Sequence, residues 1–355
     1  MDVSMFLKLA TEERASDIFI VEGKPVSMKL RGRMVEISDG PISEQEAESL
    51  LRGLYQLSGG RDFAKLQNGD DDFAVGIDGV GRFRVNAFKQ KGSYATVIRT
   101  IPVDIPDPKK LNIPDIIVNL ANFQRGIVLF TGTTGSGKST SLACLVDKIN
   151  REREAHIVTI EDPMEFRHPH QKCIISQREL ETDTETYSTA LRAAMRQAPD
   201  VILVGEMRDY ETISAAVTAA ETGHLVFSTL HTIGAGATID RIIDVFPGDQ
   251  QNQIRTQLST TLQAVVSQQL IPTLDGKIAA AYEIMVVNSA IRNLIREGKT
   301  FQIDNILQTS VAQGMRTMDM SLFELYRTRV ISRENALQFS VNQQVMEQRL
   351  SGQAR

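Results

Sequence analysis

Gly132, Thr133, Thr134, Gly135, Ser136, Gly137, Lys138 and Ser139 follow the spacing G-x-x-x-x-G-K-[ST], with Thr140 next in line. That is the spacing of a loop built to hold phosphate. Glycines let the backbone curl until successive N–H groups face inward, and the start of a following helix adds partial positive charge. Lys138 would reach the β- and γ-phosphates of a nucleoside triphosphate, and the Ser139 hydroxyl would bind Mg²⁺. The pattern lies between an apolar run at residues 127–130 and a helical stretch, which is the context such a loop requires.

Three other apolar runs end in groups that could act on that phosphate. Glu161 and Asp162 follow residues 157–160, and Glu206 follows Val204 and Gly205. Residues 225–227 lead into Ser228, Thr229, Leu230 and His231, with His224 just ahead of them. Phosphoryl transfer needs a metal, an oriented water and cations on the equatorial oxygens. Glu206 is the expected group for orienting or deprotonating the water, and Glu161 and Asp162 are expected at Mg²⁺ or at water. A lone carboxylate after a strand is more often a helix cap or a solvated charge. Three ends converging on one loop reverse that reading. Gly205 stands where an Asp commonly closes the second motif, so metal ligation falls to Ser139, to Glu206 through water, or to the Glu161–Asp162 pair. A single His is usually structural, but His224 and His231 flank one strand, and one or both are expected to contact the γ-phosphate.

The elements that must position these groups can be read from periodicity. From about residue 116, short β-rich runs alternate with helical patterns and predict a helix-flanked parallel sheet whose strand carboxyl ends share one edge. After Ile271 the chain reads as mostly helical, and it ends in a polar tail over 347–355 that is expected to fray.

Residues 1–100 predict a small α+β domain. It comprises a helix over 5–13, a strand over 16–21, a hairpin over 29–37 turning at Arg31 and Gly32, and a helix from the Ser43/Glu46 capping box through Tyr55. Strands at 73–77 and 82–88 flank Asp78-Gly79, and another runs over 94–99. Alternation puts Arg82, Arg84 and Asn86 on one face and Phe83, Val85 and Ala87 on the other. A basic face on its own reads as merely solvated. Four of the 11 prolines fall within 101–115, a stiff linker. The expected domains are therefore 1–100, the linker 101–115, and 116–355.

With 355 residues, 42% hydrophobic and 23% charged, the chain has ample material for two globular cores. Its charge of −5 argues against a broad nucleic-acid surface, so no nucleic-acid partner is expected. Cys144 and Cys173 form no C-x-x-C pair and suggest neither a zinc ribbon nor a disulfide framework. No run approaches the ~18 apolar residues of a membrane span, and residues 1–10 lack the apolar core of a signal peptide. A cytoplasmic protein is expected, with any membrane attachment made through partners.

Residues 132–139, 159–163, 201–209 and 220–226 resemble the Walker A, Asp-box, Walker B and His-box motifs of secretion ATPases. Ala290, Ile291, Arg292, Asn293, Leu294, Ile295, Arg296 and Glu297 resemble the signature of type IV pilus retraction ATPases of the PilT/PilU type, and the likeness covers nearly the whole chain. The resemblance implies a PAS-like N-terminal α+β domain followed by a RecA-like P-loop ATPase domain with a helical C-terminal part. It implies ATP and Mg²⁺, and a homohexameric ring that powers pilus retraction and twitching motility. That ring would sit at the inner face of the cytoplasmic membrane, against a platform protein and beside a paralogous retraction ATPase. In this family first-domain arginines close over the γ-phosphate, which singles out Arg84 and Arg99.

Phe19 and residues 170–174 are more similar to the PilU paralogue, and Ser228 replaces a common Gly, so an accessory retraction motor stands as the alternative. A pilus-assembly or type II secretion ATPase would share the four motifs. Such enzymes commonly carry a four-cysteine zinc element, which two separated cysteines do not supply. On a helix over 290–297, Ile291, Leu294 and Ile295 form one apolar stripe, leaving Arg292 and Arg296 as exposed charges expected to pass motion to the pilus machinery.

Overall fold

Ser43 Oγ accepts from the Glu46 N–H at 3.3 Å while the Glu46 carboxylate takes the Ser43 N–H at 2.8 Å. This reciprocal cap opens the helix Glu44–Leu57, which with the helix Val3–Glu12 covers the sheet of a first compact unit. The structure, a computed structural model, describes residues 2–30, 32–101 and 105–352. The first unit comprises Met1–Asp104 with Glu165–Arg167, and the second Ile105–Met164 with His168–Arg355.

In the first unit, β1 (Asp17–Val21), β2 (Ser27–Leu30), β3 (Arg33–Glu36), β4 (Asp70–Ile77), β5 (Gly81–Gln90) and β6 (Ser93–Ile101) pair in the order β3-β2-β1-β6-β5-β4, antiparallel throughout. β2 and β3 pair with Leu30 opposite Arg33, and Arg31 of the expected turn at Arg31-Gly32 lies outside the described residues. Residues 102–104 of the expected linker and 353–355 of the expected tail also lie outside them. Phe6, Leu7, Leu50, Leu51 and Leu54 from the two helices pack on Ile18, Phe83, Val85 and Ile98. Alternation along β5 is as the sequence predicts: Phe83, Val85 and Ala87 are wholly buried, and Arg84 faces away from them.

In the second unit, β7 (Gly126–Thr131), β8 (His156–Glu161), β9 (Ile174–Glu179), β10 (Val201–Val204), β11 (Leu225–Leu230), β12 (Leu262–Pro272) and β13 (Ile278–Val286) form one sheet in the order β13-β12-β7-β11-β10-β8-β9. All pairings are parallel except that of β12 with β13. One face is covered by the helices Tyr187–Ala194, Tyr210–Glu221, Ala235–Asp244, Gln251–Thr261 and Ser289–Glu297, and the other by the helix Lys138–Glu152.

The structure corrects three readings. The chain does not turn helical at Ile271, because β12 continues to Pro272 and β13 returns beside it before helices resume at Ser289. The alanines at 279–281 favour helix locally, and the strand forms through its long-range ladder with β12. Next, β11 does not stop at Phe227. Ser228 Oγ donates to Val204 O and Thr229 Oγ1 to Gly205 O, each at 2.7 Å, so these hydroxyls are satisfied inside a strand that reaches Leu230. Finally, the polar tail is helical over Gln343–Leu350, held by a fully buried Met346 and an Arg333–Glu347 ion pair. Among the described residues no helix is long and apolar enough to cross a membrane.

Candidate active site

The register of the parallel strands decides which residues meet. Thr131 pairs with Leu230, Ser228 with Val204, and Val204 with Ile160. The residues just past these pairs (Gly132, His231, Gly205 with Glu206, and Glu161) therefore come off one edge of the sheet, at the carboxyl ends where ligands of such sheets bind. A cleft of about 510 Å³ opens there, with Thr134, Glu206, Arg208, His231 and Arg241 among its lining residues.

The loop after β7 has the conformation its glycines allow. Gly132, Gly135 and Gly137 have φ of 137°, 78° and 88°, the left-handed region that favours glycine. Two of them also have no room for a side chain. A Cβ on Gly132 would lie 2.3 Å from Gln268 O, and one on Gly137 2.7 Å from Gln268 Nε2. Thr133, Thr134 and Gly135 are exposed at the crest, while Ser136 and Lys138 are buried. Lys138 folds back, its Nζ donating to Gly132 O at 2.8 Å and Thr133 O at 2.9 Å. Ser136 Oγ is buried with no hydrogen-bond partner, an orphan that a ligand oxygen in the loop would satisfy. No side chain caps the helix Lys138–Glu152 at Gly137, so its first N–H groups are left to a ligand; Ser139 and Thr140 are half-buried on that first turn.

Glu206 is a carboxylate engaged by a guanidinium and an imidazole. Its Oε1 accepts from Arg208 Nε and lies 3.1 Å from His231 Nε2. Glu161 Oε1 accepts from Thr159 Oγ1 at 2.7 Å and from Gln177 Nε2 at 3.3 Å, and Gln177 Oε1 takes the His168 N–H at 2.8 Å. Burial pushes the Tyr187 phenol well above its usual range, and the charges of Asp162, Glu206 and Glu161 push it further.

The two histidines do not act as a pair. His231 follows the carboxyl end of β11, beside Glu206, whereas His224 precedes its amino end. A strand of six residues sets them roughly 20 Å apart. His224 Nδ1 lies 2.8 Å from Ala219 O, closing the helix Tyr210–Glu221, so a γ-phosphate contact from His224 in this subunit is excluded by geometry.

The arginines also differ from the simplest expectation. Arg84 Nη2 pairs with Asp72 at 2.7 Å and Arg99 Nε with Asp17 at 3.0 Å, both within the first unit. Arg292 is no loose surface charge, since its Nη1 donates to Ser259 O at 2.7 Å and Thr260 O at 3.0 Å, caps of the helix Gln251–Thr261. Arg296 is exposed as expected.

Sequence reasoning missed Gln268, Gln177 and Tyr187. Gln268 Oε1 takes the Ser141 hydroxyl at 2.9 Å and its backbone walls the loop, but nothing in its local sequence marks it.

A glycine-curled phosphate loop, an uncapped helix start and carboxylates on one edge of a parallel sheet define a P-loop nucleotide hydrolase. Residues 2–351 match the family model for "Type II/IV secretion system protein". The chain is 45% identical over 336 residues to the type IV pilus retraction ATPase PilT of Pseudomonas aeruginosa, covering 95% of this chain and 97% of that one. It is 51% identical over 328 residues to a twitching motility protein of Neisseria gonorrhoeae, covering 90% and 85%. A crystal structure of the pilus retraction motor PilT with bound ADP superposes with a TM-score of 0.91 at 43% identity, over 98% of this chain and 99% of that one. The chain belongs to the type II/IV secretion ATPase family, in its PilT-like branch of ATPases.

Proposed function

We propose that this chain is a hexameric motor that hydrolyses ATP to withdraw type IV pili. The observation that carries the reading is the shared sheet edge, where strand register aligns the phosphate loop with Glu161, Glu206 and His231. The functions of the PilT and twitching-motility relatives support the direction of work. We assign residues 1–100 to a PAS-like domain, 101–115 to a linker, and 116–355 to a RecA-like ATPase domain. The order β7-β11-β10-β8 beside the loop supports the last assignment.

In this reading the N–H groups of residues 132–140 and Lys138 bind the phosphates, with Lys138 leaving a loop carbonyl to do so. Glu206 orients the attacking water and accepts its proton as the bond from the γ-phosphorus to the bridging oxygen of ADP breaks. His231, hydrogen-bonded to Glu206, contacts the γ-phosphate and ties its presence to the position of that carboxylate. Glu161 and Asp162 would hold water near Mg²⁺ when that ion is bound. Arg84 and Arg99 serve as cations over the γ-phosphate of an assembled ring, exchanging Asp72 and Asp17 for phosphate.

Among the described residues no three His, Cys, Asp or Glu are grouped to hold a metal unaided. That suits Mg²⁺, which keeps waters and leans on phosphates with few protein ligands, here Ser139 with Asp162 or Glu206 through water. Mg²⁺ when bound neutralises phosphate charge. The ring would work in the cytoplasm against an inner-membrane platform protein, alone or beside a PilU-like paralogue.

The test is Glu206→Gln in a deletion strain. The variant should bind ATP, hydrolyse it at least ~10²-fold more slowly, and leave cells whose pili extend but do not withdraw. Unchanged turnover would move the base to Glu161, and normal withdrawal without the gene would remove the motor assignment.

A further inference from the structure

Gly205 lacks a side chain at the end of β10, and a neighbour accounts for it. A Cβ there would lie 2.9 Å from Tyr187 Oη, 3.3 Å from Ile160 O and 3.4 Å from Glu161 Cα. The first distance is shorter than real Cβ contacts. The phenol therefore stands in the space where a side chain of residue 205 would begin.

Tyr187 reaches this place from the first residue of the helix Tyr187–Ala194. That helix is started by Thr186, whose hydroxyl accepts from the Thr189 N–H at 3.1 Å, and anchored by buried Ala190, Leu191 and Ala194. The ring packs half-buried against the core of the second unit, and the charges of Asp162, Glu206 and Glu161 all act on it. Rigid backing and a polar tip among carboxylates are what a positioning group needs.

We propose that Tyr187 is a positioning residue of the hydrolytic site, its hydroxyl filling the place of a residue-205 side chain and donating a hydrogen bond into the Glu161–Asp162–Glu206 group. The inference deepens the assignment of those carboxylates given above and rests on it. A carboxylate at position 205 would add a negative charge next in the chain to Glu206 and against the backbone of Glu161, and like charges oppose one another's ionisation. A phenol orients carboxylate lone pairs without adding charge.

Tyr187→Phe keeps the ring and removes only the donor. In the purified full-length protein this variant should lower kcat about tenfold, leave KM for ATP within about twofold, and keep the wild-type melting temperature; tenfold is the effect of one ordinary hydrogen bond. A second measurement reads the shared space without activity. Gly205→Ala should lower the melting temperature of the wild-type protein and lower it less in the Tyr187→Phe background, where the colliding oxygen is gone. Wild-type kcat in Tyr187→Phe, a kcat loss that only tracks a fall in melting temperature, or additive melting shifts for the two substitutions would each overturn the proposal. Glu206→Gln, assayed alongside, separates the two levels: if that variant turns over normally, the carboxylate assignment fails first, whatever Tyr187→Phe does.

Discussion

Lys138→Ala tests the phosphate loop most directly, because the structure lets the size of the effect be worked out. The ammonium now donates to two loop carbonyls, Gly132 O at 2.8 Å and Thr133 O at 2.9 Å. It has three donors, so it can keep one carbonyl and turn another N–H to phosphate. A unit charge pair at about 4 Å with an effective dielectric constant of about 20 gives about 4 kcal/mol. Giving up one loop hydrogen bond subtracts about 1–2 kcal/mol, since bonds to charged groups run about 1.5–3 and the carbonyl regains water. The net is about 2–3 kcal/mol, a factor of roughly 30–160 in affinity for ADP. Titration calorimetry with ADP and Mg²⁺ would read it, and hydrolysis should fall below detection. Without nucleotide the variant should stay folded, because Thr133 is exposed and its carbonyl can turn to water. Binding of ADP within threefold of wild type would refute this account of the lysine.

Three further outcomes follow from the same geometry. Gly135→Ala meets no atom within 4 Å and should cost only the left-handed backbone penalty of about 1–2 kcal/mol, whereas Gly132→Ala drives a Cβ to 2.3 Å from Gln268 O and should cost more than about 3 kcal/mol; equal urea midpoints would contradict this. His168 is buried with Nδ1 unpartnered, and burial lowers its pKa from 6.5 to about 4, so the unfolded chain binds the proton first as pH falls. Its stabilising contribution is complete above about pH 6.5 and is lost progressively toward pH 4, on the order of 3 kcal/mol in all, and His168→Phe should flatten the melting-temperature profile over that window. Arg296→Ala should change stability by less than about 0.5 kcal/mol, keep ATPase activity and fail to restore pilus withdrawal, while Arg292→Ala, stripped of its bonds to Ser259 O and Thr260 O, should cost about 1–3 kcal/mol; normal withdrawal with Arg296→Ala would remove the coupling role.

What could be read from the sequence was whatever short-range spacing determines. The curl of residues 132–139 follows from glycines at fixed offsets, the start of Glu44–Leu57 from Ser43 and Glu46 three apart, and the two faces of β5 from strict alternation. The failures share a physical cause, because each depends on a partner far along the chain. β13 is a strand only through its ladder with β12, against the helical leaning of its alanines. Arg292 looked exposed on a helical wheel, yet carbonyls 32 and 33 residues away claim it. The strand seemed to end at Phe227 because Ser228 and Thr229 carry polar hydroxyls, and bonds to Val204 O and Gly205 O satisfy those groups inside the sheet. That last error mattered most for chemistry. Three more residues of strand carry His231 onto the edge that holds Glu206 and leave His224 at the far end, so two histidines seven positions apart belong to different parts of the molecule. The site itself joins both kinds of information. Loop spacing supplies the phosphate cradle, whereas Gln268 behind it and Tyr187 beside Gly205 are ordinary residue types that only the assembled sheet brings to the cradle, which is why their substitution is the sharper test of how the edge works.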